Sequence, residues 1–104
     1  MKKEKQNLLS RSIREFCWPN FCEDVLEDFL HCYNIGQVLN LTEEQIMNSG
    51  FFTKTELMGI CNTLISLDSE LFYNSELYST LSKNERYNEL IKRLNKTSEV
   101  SVNL

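Results

Sequence analysis

The chain is short of the residues that punctuate a protein: three glycines, one proline and one histidine among 104 residues. So little glycine leaves no glycine-rich phosphate loop and no Gly/Ser linker. One histidine leaves no pair of histidines at the spacing of a carboxylate-bridged metal bundle, and no Ser/His/Asp motif is recognisable in the sequence. No apolar run approaches the roughly 20 residues that span a bilayer. The period-two alternation of strands is absent. The cysteines, Cys17, Cys22, Cys32 and Cys61, come no closer than C-x4-C, so the close pair typical of zinc sites is lacking. Residues 1–10 are basic, but the apolar stretch after them is broken by Arg11 and Arg14, unlike a secretory signal. A cytoplasmic location is therefore expected, with free thiols rather than disulfides. Scarce Gly and Pro beside frequent Asn and Lys suggest an AT-rich source, such as a low-GC bacterium, a phage or a mobile element.

Apolar residues instead recur at helical spacing. Leu9, Ile13 and Phe16 form a stripe that predicts a helix over about residues 5–16, ended by Trp18-Pro19-Asn20. Cys22, Val25, Leu26, Phe29, Leu30 and Tyr33 form one wide apolar face and predict a second helix over about 21–33, with Asn34 as its stop. Ile35 to Asn40 reads as a helical turn with Ile35, Val38, Leu39 and Leu41 inward. Thr42-Glu43-Glu44-Gln45, Thr53-Lys54-Thr55-Glu56 and Ser82-Lys83-Asn84-Glu85 have the form of capping boxes, each opening a helix. Gly50 stops the first of these. A helical stretch from Asp68 or Ser69 is interrupted near Asn74-Ser75. The expected fold is all-α: a compact single-domain bundle of five to six short helices over residues 1–96, followed by a frayed tail, 97–104.

The charge is unevenly placed. Residues 1–19 carry net +3 and residues 81–104 net +2, whereas residues 20–80 carry net −9, with Lys54 as their one base. Such a segment repels phosphate and attracts basic surfaces. Glu23, Asp24, Glu27 and Asp28 fall on one side of the second helix, so like charges stack at i and i+4, which costs a few tenths of a kcal/mol per pair. A surface that keeps this cost has a use for it, unless it is a solvated face alone. Glu43 and Glu44 extend the acidic region. Trp18, at a helix junction, either packs over the edge of the core or anchors an interface.

The run Asn34-Ile35-Gly36-Gln37-Val38-Leu39-Asn40-Leu41-Thr42-Glu43-Glu44-Gln45-Ile46 resembles the second half of the C-terminal domain of the bacterial RNA polymerase alpha subunit and related helix-hairpin-helix modules. Phe52, Lys54, Leu57, Ile60 and Leu64 continue the likeness, which covers about residues 26–64. A sterile-alpha-motif domain offers a similar run over Leu41 to Gly50. Both imply a compact helical module. The polymerase module further implies contact with DNA or transcription proteins through the hairpin, here Gly50 and Thr53, Lys54, Thr55 and Glu56. That family's hairpin has a glycine followed by lysines and a serine. In this chain the glycine and a base are lost and an acid, Glu56, has arrived. Phosphate contacts supply most nonspecific DNA affinity, so the departure argues against nucleic acid.

Catalytic chemistry finds no constellation. His31 and Cys32 are neighbours, but adjacent helical residues point about 100° apart and do not share a proton easily. No metal and no cofactor is expected, and the chain is expected not to be an enzyme; a metal-dependent enzyme is the remotest alternative. The leading expectation is a non-catalytic intracellular binding protein, of the inhibitor, immunity or regulatory kind. It would present Glu23, Asp24, Glu27, Asp28, Glu43 and Glu44, with Trp18, to a basic surface on another protein. The alternative is a transcription-linked module acting through Gly50 to Glu56.

Overall fold

Short polar side chains at helix starts cut this chain into pieces. The structure is a computed structural model and describes residues 7–93. Its α-helices are α1 (Cys22–Asp28), α2 (Ile35–Leu39), α3 (Glu43–Asn48), α4 (Lys54–Leu67), α5 (Ser69–Tyr73) and α6 (Glu76–Lys83). Ile13–Glu15 and Glu85–Tyr87 are 3-10 turns, and residues 7–10 and 88–93 are also helical. No strand occurs among the described residues. The fold is all-α, as the apolar periodicity predicts.

Two of the expected capping boxes form. The Thr42 hydroxyl accepts from the Gln45 N–H at 3.0 Å, and the Gln45 side chain accepts from the Thr42 N–H at 2.8 Å. Thr53 and Glu56 exchange the same pair of bonds at 3.2 and 3.0 Å. The third box does not form. Ser82 lies inside α6 and its hydroxyl donates to the Ser79 carbonyl, while Asn84 caps the following 3-10 turn. A serine within a helix can satisfy itself on a preceding carbonyl, so the pattern alone does not start a new one.

The two N-terminal helices are shorter than predicted. The first breaks at Arg11-Ser12, because Ser12 and Glu15 form a capping box of their own. Ser12 also forms an antiparallel bridge with Asn34: the Ile13 N–H donates to the Tyr33 carbonyl at 3.0 Å and the Ile35 N–H to the Arg11 carbonyl at 3.1 Å. Residues 5–6 of the expected helix and the 97–104 tail lie outside the described residues. The second helix ends at Asp28, not near Tyr33, and the chain turns left-handed at His31, φ 55°. Asn34 stops nothing; it caps α2, accepting from the Gln37 N–H at 2.9 Å. Once the helical period stops at Asp28, Phe29 and Tyr33 leave the apolar face and stand exposed.

Buried side chains from all six helices join in one core, among them Leu26, Val38, Ile46, Leu64, Phe72 and Leu77. α6 packs against α2, α3 and α5, and α4 against α5. The segment before and through α1 runs back along α4. The Thr63 hydroxyl donates to the Cys17 carbonyl at 3.0 Å. Pro19 lies over Gly59, and Phe29 lies against Phe51.

Candidate protein-binding surface

The acidic face of α1 is divided. The Arg14 guanidinium donates to Asp24 at 2.7 Å and to Glu27 at 2.8 Å. The two carboxylates hold the Arg14 pKa well above its ordinary value. Two of the four acids are thus paired from within the chain, and the cluster of three groups keeps net −1. Glu23, half-buried, and Asp28, exposed, make no ion pair or hydrogen bond with a described residue. The pairing was hidden because Arg14 is 10 and 13 residues from its partners, beyond the reach of helical spacing.

Glu43 and Glu44 do not extend that face together. Glu43 is 5% exposed. Its N–H donates to the Thr80 hydroxyl at 2.9 Å and its carboxylate accepts from the Tyr87 hydroxyl. Burial first, and the Glu43 carboxylate second, push the Tyr87 pKa up. Glu44 is exposed. The two line a groove of about 590 Å³ of mixed charge, bounded also by Thr80, Lys83, Glu85 and Arg86. Trp18 is no free anchor either: it is half-buried against the core, and its indole N–H donates to the Ile13 carbonyl at 2.7 Å.

Other aromatic residues take the exposed positions. Phe21 is 75% exposed, Phe29 55%, Tyr33 53% and Phe51 49%. Phe29 and Phe51 stack on each other, ring centroids 4.2 Å apart and planes tilted by 34°. Phe21 and Phe29 stand at the two ends of α1, about 12 Å apart at 1.5 Å per residue. Phe21 caps the helix from the left-handed region, φ 62°, without a side-chain capping bond, and Asn20 before it has φ 42°. Bulky side chains rarely adopt this conformation, which costs roughly 1–3 kcal/mol and collects at functional sites. One signal was open to a reader of the chain. Phe51-Phe52 follows the turn at Gly50, and adjacent side chains point in different directions; Phe52 is buried and Phe51 is not.

The hairpin between α3 and α4 is tight, with Gly50 at φ 79°. Its donors are largely taken. The Gly50 N–H donates to the Met47 carbonyl, the Phe51 N–H to the Ser49 hydroxyl and the Thr53 N–H to the Glu56 carboxylate. Thr53, Lys54 and Thr55 are exposed. Lys54 Nζ sits 5.8 Å from the centroid of the Tyr87 ring, on the C-terminal side of the molecule.

All four cysteines are free thiols, with Cys17 exposed and the other three buried. Burial pushes Cys22 and Cys61 up to about 12 and Cys32 to about 11, so these thiols stay protonated and inert. Among the described residues no group of three His, Cys, Asp or Glu side chains is placed to hold a metal ion. No described helix is long and apolar enough to cross a membrane. No family model, no curated protein and no solved structure matches the chain.

Proposed function

We propose that this protein is a non-catalytic binding module that engages a basic surface on another protein. Its contact face comprises Phe21, the Phe29–Phe51 pair, Asp28 and Glu23. The stacked pair of exposed rings carries the reading. Solvent-facing aromatics held in a defined geometry are what interfaces use as anchors, and here they accompany acids without partners among the described residues. The net −9 of residues 20–80 would steer a basic partner toward them. By size and charge, an inhibitor, immunity or regulatory protein of a phage or mobile element fits this description, acting inside the cell. The transcription-linked reading draws support from the tight α3–α4 hairpin. It is weakened by the occupied N–H groups at Gly50, Phe51 and Thr53 and by the Glu56 carboxylate at the turn.

The test is capture of partner proteins by the immobilised chain, comparing the wild type with Phe29→Ser/Phe51→Ser and with Glu23→Lys/Asp28→Lys. Both double variants are expected to lose the specific partner while keeping their helical circular dichroism. Identical capture by all three would reduce rings and acids to ordinary surface. Asp24 and Glu27 are left intact, because reversing them would also break the Arg14 pairs.

A further inference from the structure

We infer that the Phe29–Phe51 pair, with Asp28, receives an arginine side chain flanked by apolar residues on the partner; this rests on the protein-binding reading above. The molecule's own N-terminal guanidinium groups show the contacts this fold offers an arginine. Arg11 lies over the Phe16 ring, 4.9 Å from its centroid, and pairs with Glu15 at 2.8 Å. Arg14 sits between two carboxylates. Both of these guanidinium groups are met by carboxylates, and one by a ring as well, whereas Arg86 turns to the Asn84 amide oxygen. The α1 C-terminus offers the same two ingredients without the cation. Phe29 and Phe51 present ring surface, and Asp28, next to Phe29 in the chain and about 100° round the helix from it, so that one long side chain would have to reach both, has no cationic partner among the described residues. Lys54, the one base between residues 20 and 80, is directed to Tyr87.

Two demands follow for whatever covers this patch. The rings call for apolar contact, and the carboxylate calls for positive charge. Arginine answers both, because its planar, weakly hydrated guanidinium stacks on aromatic faces and forks onto carboxylates. Lysine answers the charge alone, as a compact and strongly hydrated ion. An anionic membrane or a nucleic-acid phosphate answers neither.

The experiment follows the aromatic ring NMR signals of the full-length chain during titration with three acetylated hexapeptides. Leucine alternates with arginine in the first, with lysine in the second and with glutamate in the third. The arginine peptide is expected to shift the Phe29 and Phe51 signals and to bind at least about fivefold tighter than the lysine peptide; the glutamate peptide should leave them unmoved. In Phe29→Leu/Phe51→Leu, which keeps apolar cover but removes the rings, the preference for arginine should vanish. Asp28→Asn should weaken the arginine peptide in a protein whose fold is untouched. Equal binding of the arginine and lysine peptides, or shifts that spare both rings, overturns the assignment. If that happens while partner capture still depends on Phe29, Phe51, Glu23 and Asp28, the arginine assignment fails and the binding module stands. If capture is independent of them, both fail.

Discussion

Glu43 is a carboxylate kept almost wholly from water, and its worth lies in what would be stranded without it. Removing it leaves the buried Tyr87 hydroxyl without its acceptor, a loss of about 1–3 kcal/mol. Urea unfolding of Glu43→Ala should show a lowered midpoint, and Glu43→Gln, which still accepts, should lose less. The raised Tyr87 pKa sets a direction in alkali. A group whose folded pKa lies above its unfolded value of about 10 contributes stability fully below that value, and the contribution disappears as pH rises through the folded pKa. Absorbance titration at 295 nm should therefore show a late tyrosine step that Tyr87→Phe reduces, the remainder belonging to Tyr73, which burial also pushes up. The cysteines divide as sharply. Under native conditions a thiol reagent should modify Cys17 and spare Cys22, Cys32 and Cys61; denaturant should expose all four. Fast modification of a second cysteine in the folded protein would contradict the burial described above.

Among the elements, what could be read from the chain was whatever depends on neighbours in sequence. The boxes at Thr42 and Thr53, the stop at Gly50, the break at Asn74-Ser75 and the inward faces of α2 and α4 are all set by residues three or four apart. Features made by distant partners could not be read that way. The boxes at Ser12-Glu15 and Asn34-Gln37 are local too, but they lie inside apolar stripes that masked them, whereas Ser12 pairs with Asn34 across the whole of α1. Arg14 likewise reaches half the acidic face from beyond helical spacing. The candidate surface was legible in its charge and illegible in its rings, because Phe29 and Tyr33 continue the α1 period in sequence after the helix itself has ended. Gly59, in the middle of α4, makes the energetic point. By helix propensity alone Gly59→Ala should gain about 0.8–1.0 kcal/mol. An added Cβ would lie 2.8 Å from Pro19 Cγ, a contact with a stiff ring, and such overpacking costs about 1–3 kcal/mol. Thermal unfolding of Gly59→Ala should show a lower midpoint; a higher one would mean that the Pro19 segment can lift from α4.

At the scale of the molecule, charge and anchors do different things. In the proposed complex the acidic middle would act over distances of about 8–10 Å at ordinary salt, before contact, and the rings only after it. Stopped-flow association with a captured partner should slow several-fold when salt is raised, while dissociation changes little. Substituting Phe29 and Phe51 should do the reverse. A partner whose association is indifferent to salt would remove the acidic segment from the encounter.

The same exposed rings make the protein a poor neighbour to itself. The net −4 that each copy carries at neutral pH makes copies repel one another, and that repulsion fades as the pH falls toward the isoelectric point near 5.0. Mild acid should then turn the proposed binding surface into a colloidal weakness, with light scattering rising near pH 5 and much less so in Phe29→Ser/Phe51→Ser. Handling the protein well above that pH, or with its partner already in place, keeps those two phenylalanines from meeting their own kind.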